Sequence, residues 1–122
     1  MLKKLSFLIL IILFMTTISK AKENTMILKL KDGNVKIQLF PDVAPNHVKR
    51  ITELANSGKY DGVVFHRVID GFMAQTGDVQ FGNSSSENFN LSRAGMGGSD
   101  LPDLKEEFND LPHERGTLSM AR

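Results

Sequence analysis

The chain has 122 residues, 41% of them hydrophobic and 24% charged, with 15 Lys and Arg against 14 Asp and Glu. That length suits one domain rather than two, and the composition is that of an ordinary folded protein, neither disordered nor collagen-like. The sequence contains no cysteine, which excludes disulfides, thiolate catalysis, a redox role and Cys-based zinc sites.

An apolar stretch opens the chain. Lys3 and Lys4 precede Leu5 to Met15, where Ser6 is the only polar residue, and Ser19-Lys20-Ala21 follows as a small-x-small site. A cationic start, a short apolar run and a small-residue site are the layout of a secretory signal peptide. The run is well short of the ~20 apolar residues that span a bilayer. Residues 1–21 are therefore expected to be a signal peptide cleaved after Ala21, which places the remainder in the periplasm or outside the cell. An uncleaved anchor reaching Ile18 is the alternative. No cysteine stands at the cleavage site, which argues against a lipoprotein. Losing Lys3, Lys4 and Lys20 leaves 12 basic residues against the 14 acidic ones, near neutrality, with no basic stripe for nucleic acid. Contact with a membrane is expected only transiently, through the leader.

Met26, Leu28 and Leu30 alternate with Ile27, Lys29 and Lys31; after Asp32-Gly33, Val35, Ile37 and Leu39 alternate with Lys36 and Gln38. Alternation on both sides of Asp-Gly predicts a hairpin with one face buried and one wet. Pro45 then opens a predicted helix, where its missing N–H is harmless. Val48, Ile51, Leu54 and Ala55 give that helix an apolar stripe, His47, Lys49, Arg50, Glu53 and Asn56 fall on the other side, and Ser57-Gly58 ends it.

Val63 to Ile69 and Met73 to Thr76 read as two further strands. Residues 79–104 are rich in Gly, Asn and Ser and end near Pro102, a long ordered loop of the kind that is usually functional or mobile. Asn83-x-Ser85 and Asn90-x-Ser92 match glycosylation sequons, a reading that the bacterial style of the leader disfavours. Gly116 to Ala121 predicts the start of a fifth strand at the end of the sequence.

The most informative stretch is Phe65-His66-Arg67-Val68-Ile69-Asp70-Gly71-Phe72-Met73-Ala74-Gln75-Thr76-Gly77-Asp78. It combines a fixed cation, an aromatic-thioether pair and an amide, without an obvious nucleophile. Such a set can grip an apolar ring and a carbonyl without covalent chemistry.

This segment resembles the signature of the cyclophilins, the barrel-shaped peptidyl-prolyl cis-trans isomerases. Ala44-Pro45, Tyr60-Asp61-Gly62, Gly95-Met96-Gly97-Gly98, Glu107-Phe108 and Gly116 to Ala121 support the match in the family's order. The resemblance covers about residues 25–122. It implies a mainly β fold, a closed antiparallel barrel of eight strands capped by helices. Residues 22–122 would be the N-terminal part of such a domain, holding about the first five strands and one helix. The family's later pocket residues, a second glutamine, a phenylalanine, a wall residue and a histidine, have no counterpart before Arg122, so an interrupted or incompletely sampled gene is expected. Asp70 and Thr76 depart from the family's commoner Pro and Gly, and the 79–94 insert is long.

By resemblance, Arg67 is the catalytic residue, stabilising the twisted amide of an X–Pro bond. Phe72 and Met73 would form the proline pocket, though apolar pairs on strands are more often core. Gln75 would hydrogen-bond the substrate backbone and steady Arg67; a turn-stabilising amide is the competing reading. Ala121 and Arg122 match the rim that touches the peptide, and Gly95 would allow close backbone approach or simply make a turn. His66, with Asp70, Asp78 and Ser119, suggests a hydrolytic triad. A strand neighbour of Arg67 points to the opposite face, however, so a satisfied structural histidine is the better reading. No nucleophile elbow and no His-Glu-x-x-His spacing is present.

The expected function is isomerisation of X–Pro bonds in folding proteins, with proline-containing polypeptides as partners, a monomeric state, and neither cofactor nor metal. The alternatives are a non-catalytic proline-peptide-binding or chaperone module, and an inert fragment whose open sheet edges favour aggregation.

Overall fold

The structure, a computed structural model, describes residues 24–121. The leader expected over residues 1–21 and the rim residue Arg122 lie outside the described residues. No helix among the described residues is long and apolar enough to cross a membrane.

The first hairpin forms as its alternation requires. β1 (Thr25–Leu30) pairs antiparallel with β2 (Gly33–Gln38), with Met26 opposite Ile37 and Leu28 opposite Val35. These four apolar side chains share one face because side chains alternate along a strand. The chain reverses through Lys31 and Asp32, and Gly33 takes up the positive dihedral (φ 141°). Leu39 N–H donates to Asn24 O at 2.7 Å and extends the ladder by one rung.

The helix α1 (Pro45–Asn56) also forms as expected, with Pro45 in its first turn. Its end is a Schellman motif: Gly58, at φ 73°, donates to Ala55 O, and Lys59 N–H reaches back to Leu54 O. Leu54, at 7% exposure, is the helix's buried anchor. The polar side is not all solvated. Arg50 Nη2 donates to Pro102 O at 2.8 Å and His47 Nε2 donates to Lys105 O at 2.9 Å. These two side chains strap residues 102–107 along the helix.

β3 (Arg67–Ile69) and β4 (Met73–Gln75) form a second, shorter hairpin. The strand expected from Val63 begins only at Arg67. Val64 N–H instead donates to Gly82 O, Val63 bridges to Asn83, and Thr76 Oγ1 takes Val64 O at 2.8 Å. The backbone groups of 63–64 are thus satisfied by Tyr60, Thr76 and the loop after Asp78.

That loop carries no helix or strand, yet it is ordered by its own side chains. Asn83 Oδ1 and Asn90 Oδ1 accept from Ser85 and Ser92 N–H at 3.0 Å each, making both asparagines turn residues. The Arg93 guanidinium lies 3.8 Å from the Phe81 ring centre.

The fifth strand is absent among the described residues. Residues 117–121 are exposed and unpaired in any sheet, and Thr117 instead turns back to Glu114 through two hydrogen bonds. A strand needs a neighbour for its backbone groups, and none lies beside this segment. The four described strands form two separate two-stranded sheets. Only Leu54, Asp78 and Gly82 among the described residues are buried.

Candidate functional site

The β3–β4 register assembles the candidate site. Arg67 stands directly opposite Gln75, and Ile69 opposite Met73. Period-2 alternation then places Arg67, Ile69, Met73 and Gln75 on one face, with Val68 and Ala74 on the other. Phe72 sits where the hairpin turns: its N–H donates to Ile69 O at 3.1 Å, and Gly71 supplies φ 70°. A positive dihedral at the third position is what a type II turn asks of glycine, with Asp70 taking the position before it.

Arg67 is exposed, and among the described residues no hydrogen bond or ion pair holds its guanidinium. Met73 and Gln75 are half-buried, whereas Phe72 is 75% exposed. The hairpin therefore presents a free planar cation beside an amide and a thioether, with an aromatic ring at its tip.

His66 lies just before β3, and its N–H donates to Gln75 O at 3.1 Å. Its imidazole packs against the backbone of Gly95, so tightly that a Cβ on Gly95 would stand 2.6 Å from Cδ2. The close approach that Gly95 permits in this structure is thus to His66. The histidine is structural but not satisfied, because its Nδ1 is buried without a partner. Asp78 is not available to a triad, because its two oxygens are already engaged by four backbone N–H groups.

Those donors are Gln80 and Phe81 on Oδ1, at 2.9 Å each, and Gly95 and Gly97 on Oδ2, at 2.8 and 3.0 Å. Burial pushes the Asp78 carboxyl upward, but the backbone donors outweigh it and hold the group below its ordinary value. Burial raises the Tyr60 phenol, and the nearby Arg50 offsets part of that rise.

Glu107 is the second carboxylate with a defined task. Its Oε1 accepts from Asn46 N–H and Asn46 Nδ2 at 2.9 and 2.7 Å, and its Oε2 from His47 N–H at 3.0 Å. These are orphan donors of the first turn of α1, which Ala44 cannot cap because it carries no acceptor. Partial burial acts to raise the Glu107 carboxyl, yet the hydrogen bonds and the His47 ring 3.6 Å away bring it below its ordinary value.

Of the residues predicted for the site, Arg67, Met73 and Gln75 share a face, and Phe72 flanks it. Gly95 reaches the site through His66. Ala121 lies in the exposed terminal segment, which no backbone hydrogen bond joins to β3 or β4. Among the described residues no cluster of three His, Asp or Glu side chains could hold a metal.

The family model for cyclophilin type peptidyl-prolyl cis-trans isomerase/CLD matches residues 25–122. The chain belongs to the cyclophilin family. A probable peptidyl-prolyl cis-trans isomerase of Brucella suis biovar 1 (strain 1330) is 59% identical over 100 residues, covering 82% of this chain and 50% of that protein. A peptidyl-prolyl cis-trans isomerase of Synechococcus elongatus is 41% identical over 95 residues, 78% of this chain and 57% of its own. Peptidyl-prolyl cis-trans isomerase B of Bacillus subtilis (strain 168) is 37% identical over 93 residues, 75% and 57%. This cyclophilin chain spans about half the length of the curated relatives it matches. No solved structure matches it.

Asp78 and Glu107 were missed as organising groups by the sequence reading. For Glu107 a signal existed: a helix beginning Ala44-Pro45 lacks a local cap, so an acceptor must come from elsewhere in the chain. For Asp78 the signal was an acid followed by a glycine-rich loop, whose backbone N–H groups need an acceptor.

Proposed function

We propose that this cyclophilin chain accelerates cis-trans rotation about X–Pro bonds in proline-containing polypeptides, using Arg67 as its catalytic residue. The observation that carries the reading is the register: Arg67 faces Gln75 across the hairpin, Met73 shares their face, and the guanidinium is unbound. The family relationship supports the same activity. In this reading the two hairpins belong to an eight-stranded barrel.

The barrier to be lowered is amide resonance, about 18–20 kcal/mol, which makes uncatalysed exchange take tens to hundreds of seconds. In the twisted transition state the proline nitrogen gains a lone pair that neither ground state offers. A donor aimed at that nitrogen binds the transition state selectively, and selective binding is what accelerates a reaction. The planar fork of Arg67 can donate to the nitrogen and to the preceding carbonyl at once, and it stays charged. Gln75 would hold the peptide backbone, and Phe72 and Met73 would receive the proline ring. No proton is transferred, and the reaction needs no cofactor or metal.

The leader's layout supports export, with folding envelope proteins as clients and the protein acting as a monomer. N-terminal sequencing of the exported form should begin at Lys22; material beginning at Met1 would rule out cleavage.

One observation favours a second reading. Phe72, 75% exposed, gives the proline ring a surface rather than an enclosing pocket, which suits a non-catalytic peptide-binding module. An exchange assay on an X–Pro tetrapeptide separates the two. Acceleration that disappears in Arg67→Ala supports catalysis, whereas equal rates with peptide still bound leave only binding.

A further inference from the structure

Asp78 is a buried carboxylate, 4% exposed, that plays no part in the proposed chemistry. Its two oxygens close a loop at both ends. Oδ1 holds the loop's start through Gln80 and Phe81, and Oδ2 holds its far end through Gly95 and Gly97. The loop packs closely on the carboxylate at two glycines. A Cβ on Gly82 would lie 2.6 Å from Asp78 O, and one on Gly97 would lie 2.8 Å from Asp78 Oδ1.

The clamp does not end at the loop. Gly95, fixed by Asp78, presses on the His66 ring, where an added Cβ would meet Cδ2 at 2.6 Å and Nε2 at 2.8 Å. His66 in turn bonds through its backbone to Gln75 O and precedes Arg67. A continuous line of contacts therefore runs from the carboxylate, through a glycine and an imidazole, to the start of the strand bearing the guanidinium.

We propose that Asp78 is a positioning residue: through Gly95 it pins the His66 ring, and so fixes the end of β3 from which Arg67 projects. This inference rests on reading the Arg67–Gln75 face as the isomerase site. Orientation governs turnover more than affinity, because misplacing a catalytic group by about 1 Å can cost 10²-fold. Asparagine is not a silent replacement. Its amide would turn N–H donors toward N–H donors on one side of the clamp, releasing either Gly95 and Gly97 or Gln80 and Phe81.

The test compares the 122-residue chain with Asp78→Asn, Gly95→Ala and the control Gly98→Ala, whose added Cβ would meet nothing within 4 Å. NMR follows the His66 ring resonances and the Arg67 and Gln75 amides. Exchange spectroscopy on an X–Pro tetrapeptide gives turnover at saturation, and titration gives affinity. Asp78→Asn and Gly95→Ala should each move the His66 and Arg67 signals and slow turnover roughly 10- to 100-fold. Peptide affinity should stay within about twofold, since loss of orientation falls on turnover. Gly98→Ala should change none of these. Gly95→Ala leaves the carboxylate in place, so it carries the test if Asp78→Asn fails to fold. Unmoved His66 and Arg67 signals in a folded variant, or affinity falling in step with turnover, would overturn the positioning role. The isomerase reading fails separately, when the unaltered chain turns over peptide no faster than Arg67→Ala.

Discussion

At Arg67 the argument is one of geometry as much as charge. A hydrogen bond from a charged donor contributes ~1.5–3 kcal/mol, roughly 10- to 150-fold in rate at 1.36 kcal/mol per decade. Arg67→Ala should therefore lower turnover by about that factor while leaving the fold intact, because among the described residues no hydrogen bond or ion pair depends on the side chain. Arg67→Lys keeps the charge but not the planar fork, so it should recover only a minor part of the rate. A lysine variant as fast as the unaltered chain would show that charge alone suffices. Asp78 contributes, with Glu107, to the acid limb of stability. Its folded carboxyl titrates below the ordinary 3.8, so its contribution is present above that value and is lost as pH falls through the depressed one. Urea unfolding from pH 7 to pH 3 should show a decline that Glu107 begins below about pH 4.5 and Asp78 steepens below about pH 3.8, and Asp78→Asn should flatten the second part. These two residues also mark how far the sequence could be read. Arg67 stood out because a fixed cation on a strand is conspicuous. The role of Asp78 was harder to read, because its side-chain oxygens take backbone N–H groups, which the residue pattern shows only as the glycine-rich loop that follows.

Local signals fix the elements that close on themselves. Alternation and Asp32-Gly33 placed the first hairpin, and Pro45 with Ser57-Gly58 placed both ends of α1, because each rests on contacts a few residues apart. The expected strand at Val63 was shortened by Gly82 and Asn83, nearly twenty residues on, and the helix's polar stripe was strapped by residues 102–107. Such long-range partners have no local signature. The cap on α1 shows the same logic and can be tested. Glu107→Ala should free the N–H groups of Asn46 and His47, speeding their hydrogen exchange and lowering the melting temperature. Adding Ala44→Ser supplies a local acceptor, a change worth typically ~1 kcal/mol at an N-cap. The double variant should then melt above Glu107→Ala alone. If the serine gives no recovery, Glu107 acts on the strap rather than on the helix terminus.

For the molecule as a whole, the balance of buried and exposed surface decides behaviour. Phe72, Met96 and Phe108 are 75–78% exposed, Val68 and Leu91 67% and 69%, while Leu54 is the buried apolar side chain among the described residues. Each described sheet has only two strands, and isolated two-stranded hairpins are marginal in water. The helix, its Schellman end, the Asp78 clamp and the Glu107 strap are then held mainly by hydrogen bonds, each with a net contribution of only ~0.5–1.5 kcal/mol. The chain with its leader removed should accordingly bind the apolar dye ANS strongly at pH 7. Its urea transition should be broad, because the slope follows the surface newly exposed on unfolding, and little of the apolar surface is hidden to begin with. A proline peptide that seats on Phe72 should reduce the dye signal. Weak dye binding with a steep urea transition would mean that these apolar side chains are covered in solution.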